Sequence, residues 1–214
     1  MTPIAWAFLF TSLLLSSFLV ANYLVARGVP FHLARKVAHL SAGVPIGLSP
    51  LVFPSVWYPC GLALAFLVLL TLSHQIDLLP GVSRPGRWSE VSFPAAVLLS
   101  LALWPVSPWA AALPGLWVAL GDGVAGLVRA WVYQRPSKGL WGSAACLAVC
   151  LPLAVLVTPF WVGIAGVGAF TVAEYLCGDV GRIHLDDNLA APVAATAVMG
   201  VSLGAAAVLR GVGN

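Results

Sequence analysis

Four stretches of this chain hold side chains that can handle a metal-bound phosphate. In GRIHLDDNLAAP, Gly181–Pro192, the neighbours Asp186, Asp187 and Asn188 stand at the mouth of an apolar segment that runs to Leu209. Three adjacent oxygen donors without a Cys or His cluster suit a hard cation such as Mg²⁺. A helix N-cap also favours Asp or Asn, but needs only one such residue. Glu174, in VAEYLCGD upstream, adds a further carboxylate.

In ALGDGVAGLVRAW, Ala119–Trp131, Asp122 sits between Gly121 and Gly123 inside an apolar run. A carboxylate at membrane depth is costly unless paired or solvated. The glycines permit a break in the backbone and close approach of a ligand. The pattern therefore predicts a broken helix whose Asp122 lines a polar cavity. The alternative is a buried Asp122 paired with Arg129 or another base.

QRPSKGLWGS, Gln134–Ser143, supplies Arg135 and Lys138, then Gly142 and Ser143 opening a helix. A positive helix start with free amides and a hydroxyl suits phosphate. The stretch is not a GxxxxGK[ST] loop. In FHLARKVAHLSAG, Phe31–Gly43, Arg35 and His39 share a helix face at i, i+4, with Lys36 beside them. The basic turn with Arg84 and Arg87 reads as a flexible turn or as a phosphate-facing lid.

The elements that must position these residues are membrane helices. The 214 residues are 61% hydrophobic and 8% charged, against about 25% charged in soluble domains. The mean hydropathy is +1.00. Candidate spans of mostly apolar residues fall at 4–26, 37–56, 58–73, 92–106, 108–133, 143–157, 159–177 and 189–209. The expected fold is thus all-α and polytopic, seven to eight spans in a single membrane-embedded domain, 1–214. The N-terminal run is too long for a signal peptide core and has no basic flank, so it reads as a retained first helix.

Charged and uncharged turns alternate along the chain. With eight spans, nine of the ten Lys and Arg share one side, and only Arg210 lies opposite. The positive-inside rule makes that side the cytoplasm. All seven acids fall there too: Asp77, Glu90, Asp122, Glu174, Asp179, Asp186 and Asp187. A topology signal alone needs no acids, so the expectation is a polar site at the cytoplasmic face of a cell (inner) membrane. The net charge of +3, spread over loops, argues against a nucleic-acid partner. Cys60, Cys146, Cys150 and Cys177 form no CxxC pair and read as buried apolar residues. Small polytopic proteins often dimerise, which leaves a homodimer open.

Acidic oxygen ligands, several cations and glycines near a helix start are the inventory of a nucleotide polyphosphate site. In their order along the chain, RKVAHLSAG, LGDGVAG, SKGLWGS, AEY and DDNLAAP resemble the motifs of the CTP-dependent polyprenol kinase family, which contains dolichol and phytol kinases and is related to CDP-diacylglycerol synthases. The resemblance runs from Arg35 to Pro192. It implies Mg²⁺-dependent transfer of the γ-phosphate of CTP to an isoprenoid or other lipid alcohol. On that reading Asp122 and Asp187 hold Mg²⁺, helped by Asp186 and Asn188. Lys138, Arg35 and Lys36 neutralise phosphate, with Glu174, Gly121 and Gly123 in the nucleotide site. Gly142 and Ser143 offer helix-start donors, and His39 or a carboxylate accepts the proton of the lipid hydroxyl. Two other readings remain: a cytidylyltransferase that makes a CDP-lipid from phosphatidate or a similar lipid phosphate, and a small transporter with Asp122 as its ion site. A transporter is expected to carry inverted repeats and mid-membrane polar groups.

Overall fold

Proline and glycine punctuation divides the apolar sequence into rods that must bury or lipid-face every side they have. The computed structural model describes residues 2–76, 78–79, 81–82, 88–134, 138–180 and 183–212. Its helices are α1 (Pro3–Ala26), α2 (Phe31–Val52), α3 (Trp57–Ile76), α4 (Ser89–Ser100, ending in a 3₁₀ turn, Leu101–Leu103), α5 (Pro108–Trp117), α6 (Gly123–Tyr133), α7 (Leu140–Ala154), α8 (Phe160–Leu176) and α9 (Asp187–Val212). A π-helical turn, Val118–Asp122, joins α5 to α6 in one continuous rod. Between α8 and α9 lies an antiparallel hairpin, β1 (Gly178–Val180) with β2 (Ile183–Leu185), where the sequence suggested only a charged turn.

Among the described residues, four helices are long and apolar enough to cross a membrane: Pro3–Ala26, Trp57–Ile76, Pro108–Tyr133 and Asp187–Val208. Ser89–Leu103, Leu140–Ala154 and Phe160–Leu176 are shorter apolar helices. The outward faces are greasy, with Ile4 and Phe8 on α1, Leu64 and Val68 on α3 and Val201 on α9 all exposed. This is a helical membrane protein. Starts are set by local chemistry. Thr2 Oγ1 accepts from the Ala5 amide ahead of Pro3, and Ser107 Oγ accepts from the Ala110 amide ahead of Pro108, a cap followed by proline at the first helical position.

The rod Pro108–Tyr133 is the most buried of the four long helices. On one side it packs with α7, α8 and α9, where Trp117 is fully enclosed, tilts against Phe170 and donates its Nε1–H to the Cys150 carbonyl at 3.2 Å. On the other it meets α2, which packs in turn with α1. α1, α2 and α3 form a second apolar cluster, and Phe93 and Leu98 of α4 pack against both clusters. The cysteines are free thiols, with Cys146, Cys150 and Cys177 buried and Cys60 half-buried.

Close approach of α2 to α5 depends on Gly47, where an added Cβ would stand 2.9 Å from the Leu116 amide nitrogen. Backbone cannot yield as a flexible side chain can. Gly47→Ala is therefore expected to lower stability by about 1–3 kcal/mol, while Gly61→Ala, with nothing within 4 Å, should not destabilise. Melting midpoints of the two variants in detergent check the contrast.

Candidate functional site

A charge inside an apolar bundle survives only with a partner. The partners found here bring α2, α6, α8, the segment before α7 and α9 to one place. Asp122 closes the π turn. Its Oδ2 lies 2.6 Å from Lys36 Nζ, which also donates to the Asp122 carbonyl at 3.1 Å. Arg129, two turns along α6, forms a fork with Glu174 of α8, at 2.7 Å for both Nη1–Oε1 and Nη2–Oε2. Such paired N–H···O contacts are the strong form of a charged hydrogen bond. Lys138 donates to Glu174 Oε1 at 2.9 Å, to the Glu174 carbonyl at 2.7 Å and to Asp187 Oδ2 at 2.7 Å.

Carboxylate oxygens of Asp122, Glu174 and Asp187 all lie within 4.8 Å of one another. The three are not equivalent. The Glu174 side chain is fully buried, and both its oxygens already accept from cations. It is the counter-ion that fixes Arg129 and Lys138. Asp187, whose side chain is 29% exposed, and Asp122 each face a single lysine. Hard oxygen donors at this spacing, reachable from water and already holding ammonium groups, fit a divalent cation.

Several expected site residues are placed differently. The helix around Asp122 is not broken: a π turn inserts instead, a feature common at functional sites. Gly121 and Gly123 admit protein, since a Cβ on the first would meet the sulfurs of Cys150 and Cys146 and on the second would meet Leu40. Asp186 turns away from the carboxylate cluster to cap α9. Its Oδ1 accepts from the Asn188 amide at 2.9 Å and its Oδ2 from Ser89 Oγ of α4. Asn188 pins the same place, donating from Nδ2 to the Ser89 carbonyl at 3.1 Å, while its buried Oδ1 has no partner among the described residues.

Helix α7 starts at Leu140, so the Gly142 and Ser143 amides are not free; both donate to the Gly139 carbonyl, at 3.1 and 3.4 Å. Gly142 has a different use. A Cβ there would run into Arg129 Nε, so its absence leaves the guanidinium room to reach Glu174. The Ser143 Oγ is buried without a partner among the described residues. Gly126 does for Lys36 what Gly142 does for Arg129.

His39 joins the site from the side. Its Nε2 lies 3.2 Å from the Val118 carbonyl and 3.7 Å from Asp122 Oδ2. A carbonyl only accepts, so Nε2 is the donor in this contact. Arg35 lies on the same face of α2 but not in the carboxylate cluster: with His39 it lines an apolar cleft among α1 to α4. Arg84, Arg87 and Arg135 lie outside the described residues.

Sequence reasoning weighed Arg129 only as a partner for Asp122 and missed its pairing with Glu174. The signal was there: one base in GLVRAW and one acid in TVAEYL, each in an apolar helix, must be neutralised within the fold. It also missed the dyad of His74 Nδ1 and Glu90 Oε1, 2.7 Å apart beneath the Trp88 ring. Compared with protein-family models, curated proteins and solved structures, the chain matches none.

Two outcomes follow from the ion pairs. Glu174→Gln strips a buried guanidinium of its counter-charge and is expected to cost about 3–5 kcal/mol, read as a collapse of the melting midpoint. For Lys138, burial depresses the pKa, but Asp187 and Glu174 outweigh it, and the net shift is upward. The stability it contributes is therefore complete below the ordinary lysine range and is lost as pH rises through the raised value. The stability advantage of wild type over Lys138→Met should hold to about pH 10 and shrink above it, as measured by melting at stepped alkaline pH.

Proposed function

We propose that this protein is a membrane-embedded, CTP-dependent kinase that transfers a γ-phosphate to the hydroxyl of an isoprenoid or other lipid alcohol. The observation that carries the reading is the pairing of Asp122 with Lys36 at 2.6 Å and of Asp187 with Lys138 at 2.7 Å, the two carboxylates belonging to one cluster. Phosphoryl transfer asks for little more than positioned cations and metal-binding carboxylates. The motifs from RKVAHLSAG to DDNLAAP support the assignment to lipid alcohols and to CTP.

Asp122 and Asp187 would hold a divalent ion, which supplies charge neutralisation on the β- and γ-phosphates. The remaining roles belong to the chain. Lys36 and Lys138 turn their ammonium groups from the carboxylates to the phosphate oxygens. Arg129 and Glu174 keep Lys138 in reach of Asp187. The alcohol oxygen bonds to the γ-phosphorus as the bond to the β–γ bridging oxygen breaks and CDP leaves. His39, whose Nε2–H donates to the Val118 carbonyl, accepts the hydroxyl proton on Nδ1. We further infer eight spans, α5 to α6 counting as one, with the site at the cytoplasmic face of a cell membrane, where a nucleotide from water meets a substrate from lipid.

The test uses purified protein, Mg²⁺ and CTP labelled separately at the α and γ phosphates, with phytol, farnesol, a polyprenol, diacylglycerol and phosphatidate as acceptors. γ-Label is expected in an alcohol, reduced by about 10²–10³-fold in Asp122→Asn and Asp187→Asn with melting midpoints retained. α-Label in phosphatidate would instead make the protein a cytidylyltransferase.

A further inference from the structure

The two lysines of the site are held unequally. Lys138 spends all three of its N–H donors on protein: on Glu174 Oε1, the Glu174 carbonyl and Asp187 Oδ2. Letting go of Asp187 would still leave it two acceptors on Glu174. Lys36 has two acceptors among the described residues, and both belong to Asp122. It therefore either stays on Asp122 or leaves it altogether. Its side chain is 24% exposed, so a partner from water can reach it.

Lys36 lies on Asp122 because Gly126 gives it room. Gly126 is one helical turn beyond Asp122 on the same rod, and the end of the Lys36 side chain crosses it. A Cβ at Gly126 would stand 2.5 Å from Lys36 Cε and 2.9 Å from Nζ. Both atoms are at the far end of a flexible side chain. An added methyl would push the ammonium group aside and leave the backbone in place. The charges around this seat are balanced, with Asp122, Glu174 and Asp187 set against Lys36, Arg129 and Lys138. A divalent ion on Asp122 would meet an ammonium group already 2.6 Å from Oδ2, and like charges that close repel strongly away from bulk water.

We propose that Lys36, seated over Gly126, is a latch: on Asp122 it shuts the carboxylate pair to a divalent ion, and it opens when a polyphosphate takes its ammonium group. The proposal deepens the kinase reading and rests on it for the source of the polyphosphate. Ammonium contacts to carboxylate and to phosphate are charged hydrogen bonds of one kind. The exchange thus leaves no charge unpaired: Lys36 turns to phosphate as Asp122 becomes available to the ion. Lys138 opens only in part, because Glu174 keeps hold of it. Ion and polyphosphate then each favour binding of the other, and the coupling runs through one side chain.

The test reads Mn²⁺ on the full-length protein in detergent by equilibrium dialysis, first with no nucleotide present. Wild type is expected to bind weakly. Gly126→Ala keeps every charge but crowds the latch off its seat, and should tighten Mn²⁺ binding by about 5–150-fold. Lys36→Met removes the latch and should show the same gain, which covers a Gly126→Ala protein that fails to fold. Adding Asp122→Asn to either variant should abolish the gain. Arg35→Met takes one positive charge from the same turn of α2 and leaves Lys36 in place, so it should show none. Inorganic tripolyphosphate should then bring Mn²⁺ to the wild type. Wild type that binds Mn²⁺ alone as tightly as both variants, or a gain in Arg35→Met equal to that in Lys36→Met, would overturn the latch. Tripolyphosphate that brings no Mn²⁺ to the wild type would overturn its opening. The expected gains in a protein that transfers no γ-phosphate would leave this inference standing and remove the kinase reading alone.

Discussion

The fork between Arg129 and Glu174 is the constraint on which the rest of the site depends. It places a full positive and a full negative charge inside an apolar bundle, where either one alone would be untenable. Two helices, α6 and α8, are thereby fixed in register, because a guanidinium and a carboxylate meet in the bidentate form only at one offset. Lys138 then has a fixed oxygen to bind, and Asp187 a fixed ammonium. The outer members are less buried than the inner pair, from an enclosed Glu174 to a part-exposed Lys138 and Asp187. The gradient gives one complex a rigid inner end and a water-facing outer end.

The second half of the site is set by helix geometry. The π turn Val118–Asp122 sits in the most buried rod of the bundle and leaves the Val118 carbonyl facing the His39 ring. Small residues let the neighbours close in: Gly121 lies against the α7 cysteines, Gly126 against the Lys36 stem and Gly142 against Arg129. The glycines near the site thus make space for the protein's own side chains. One imidazole, His39, lies between the carboxylate cluster and the apolar cleft, 3.7 Å from Asp122 Oδ2.

Much of this was legible in the sequence. The class of fold followed from hydropathy, and the gathering of acids with bases on one set of turns pointed to a polar site at one face; of the residues the motifs supplied for it, Asp122, Asp187, Lys36 and Lys138 lie together, while Asp186, Asn188 and Arg35 lie aside. What could not be read was which carboxylate does what. Asp186, Asp187 and Asn188 look alike as a run, yet Asp186 caps α9, Asp187 meets Lys138 and Asn188 ties to Ser89. Successive residues on a helix start point in different directions, and only tertiary neighbours decide their uses. Gly142 and Ser143 were misread for a related reason: a helix that begins at Leu140 has consumed their amides. The π turn left no mark in composition, because it differs from an α-helix by a single inserted residue.

The central claim is that Asp122 and Asp187 together hold a divalent ion with a nucleotide. Mn²⁺ in place of Mg²⁺ makes this directly visible by electron paramagnetic resonance on the purified protein. One bound Mn²⁺ per chain that requires CTP, and that is lost in both Asp122→Asn and Asp187→Asn while melting is unchanged, is the predicted result. Mn²⁺ binding that is indifferent to either substitution would contradict it.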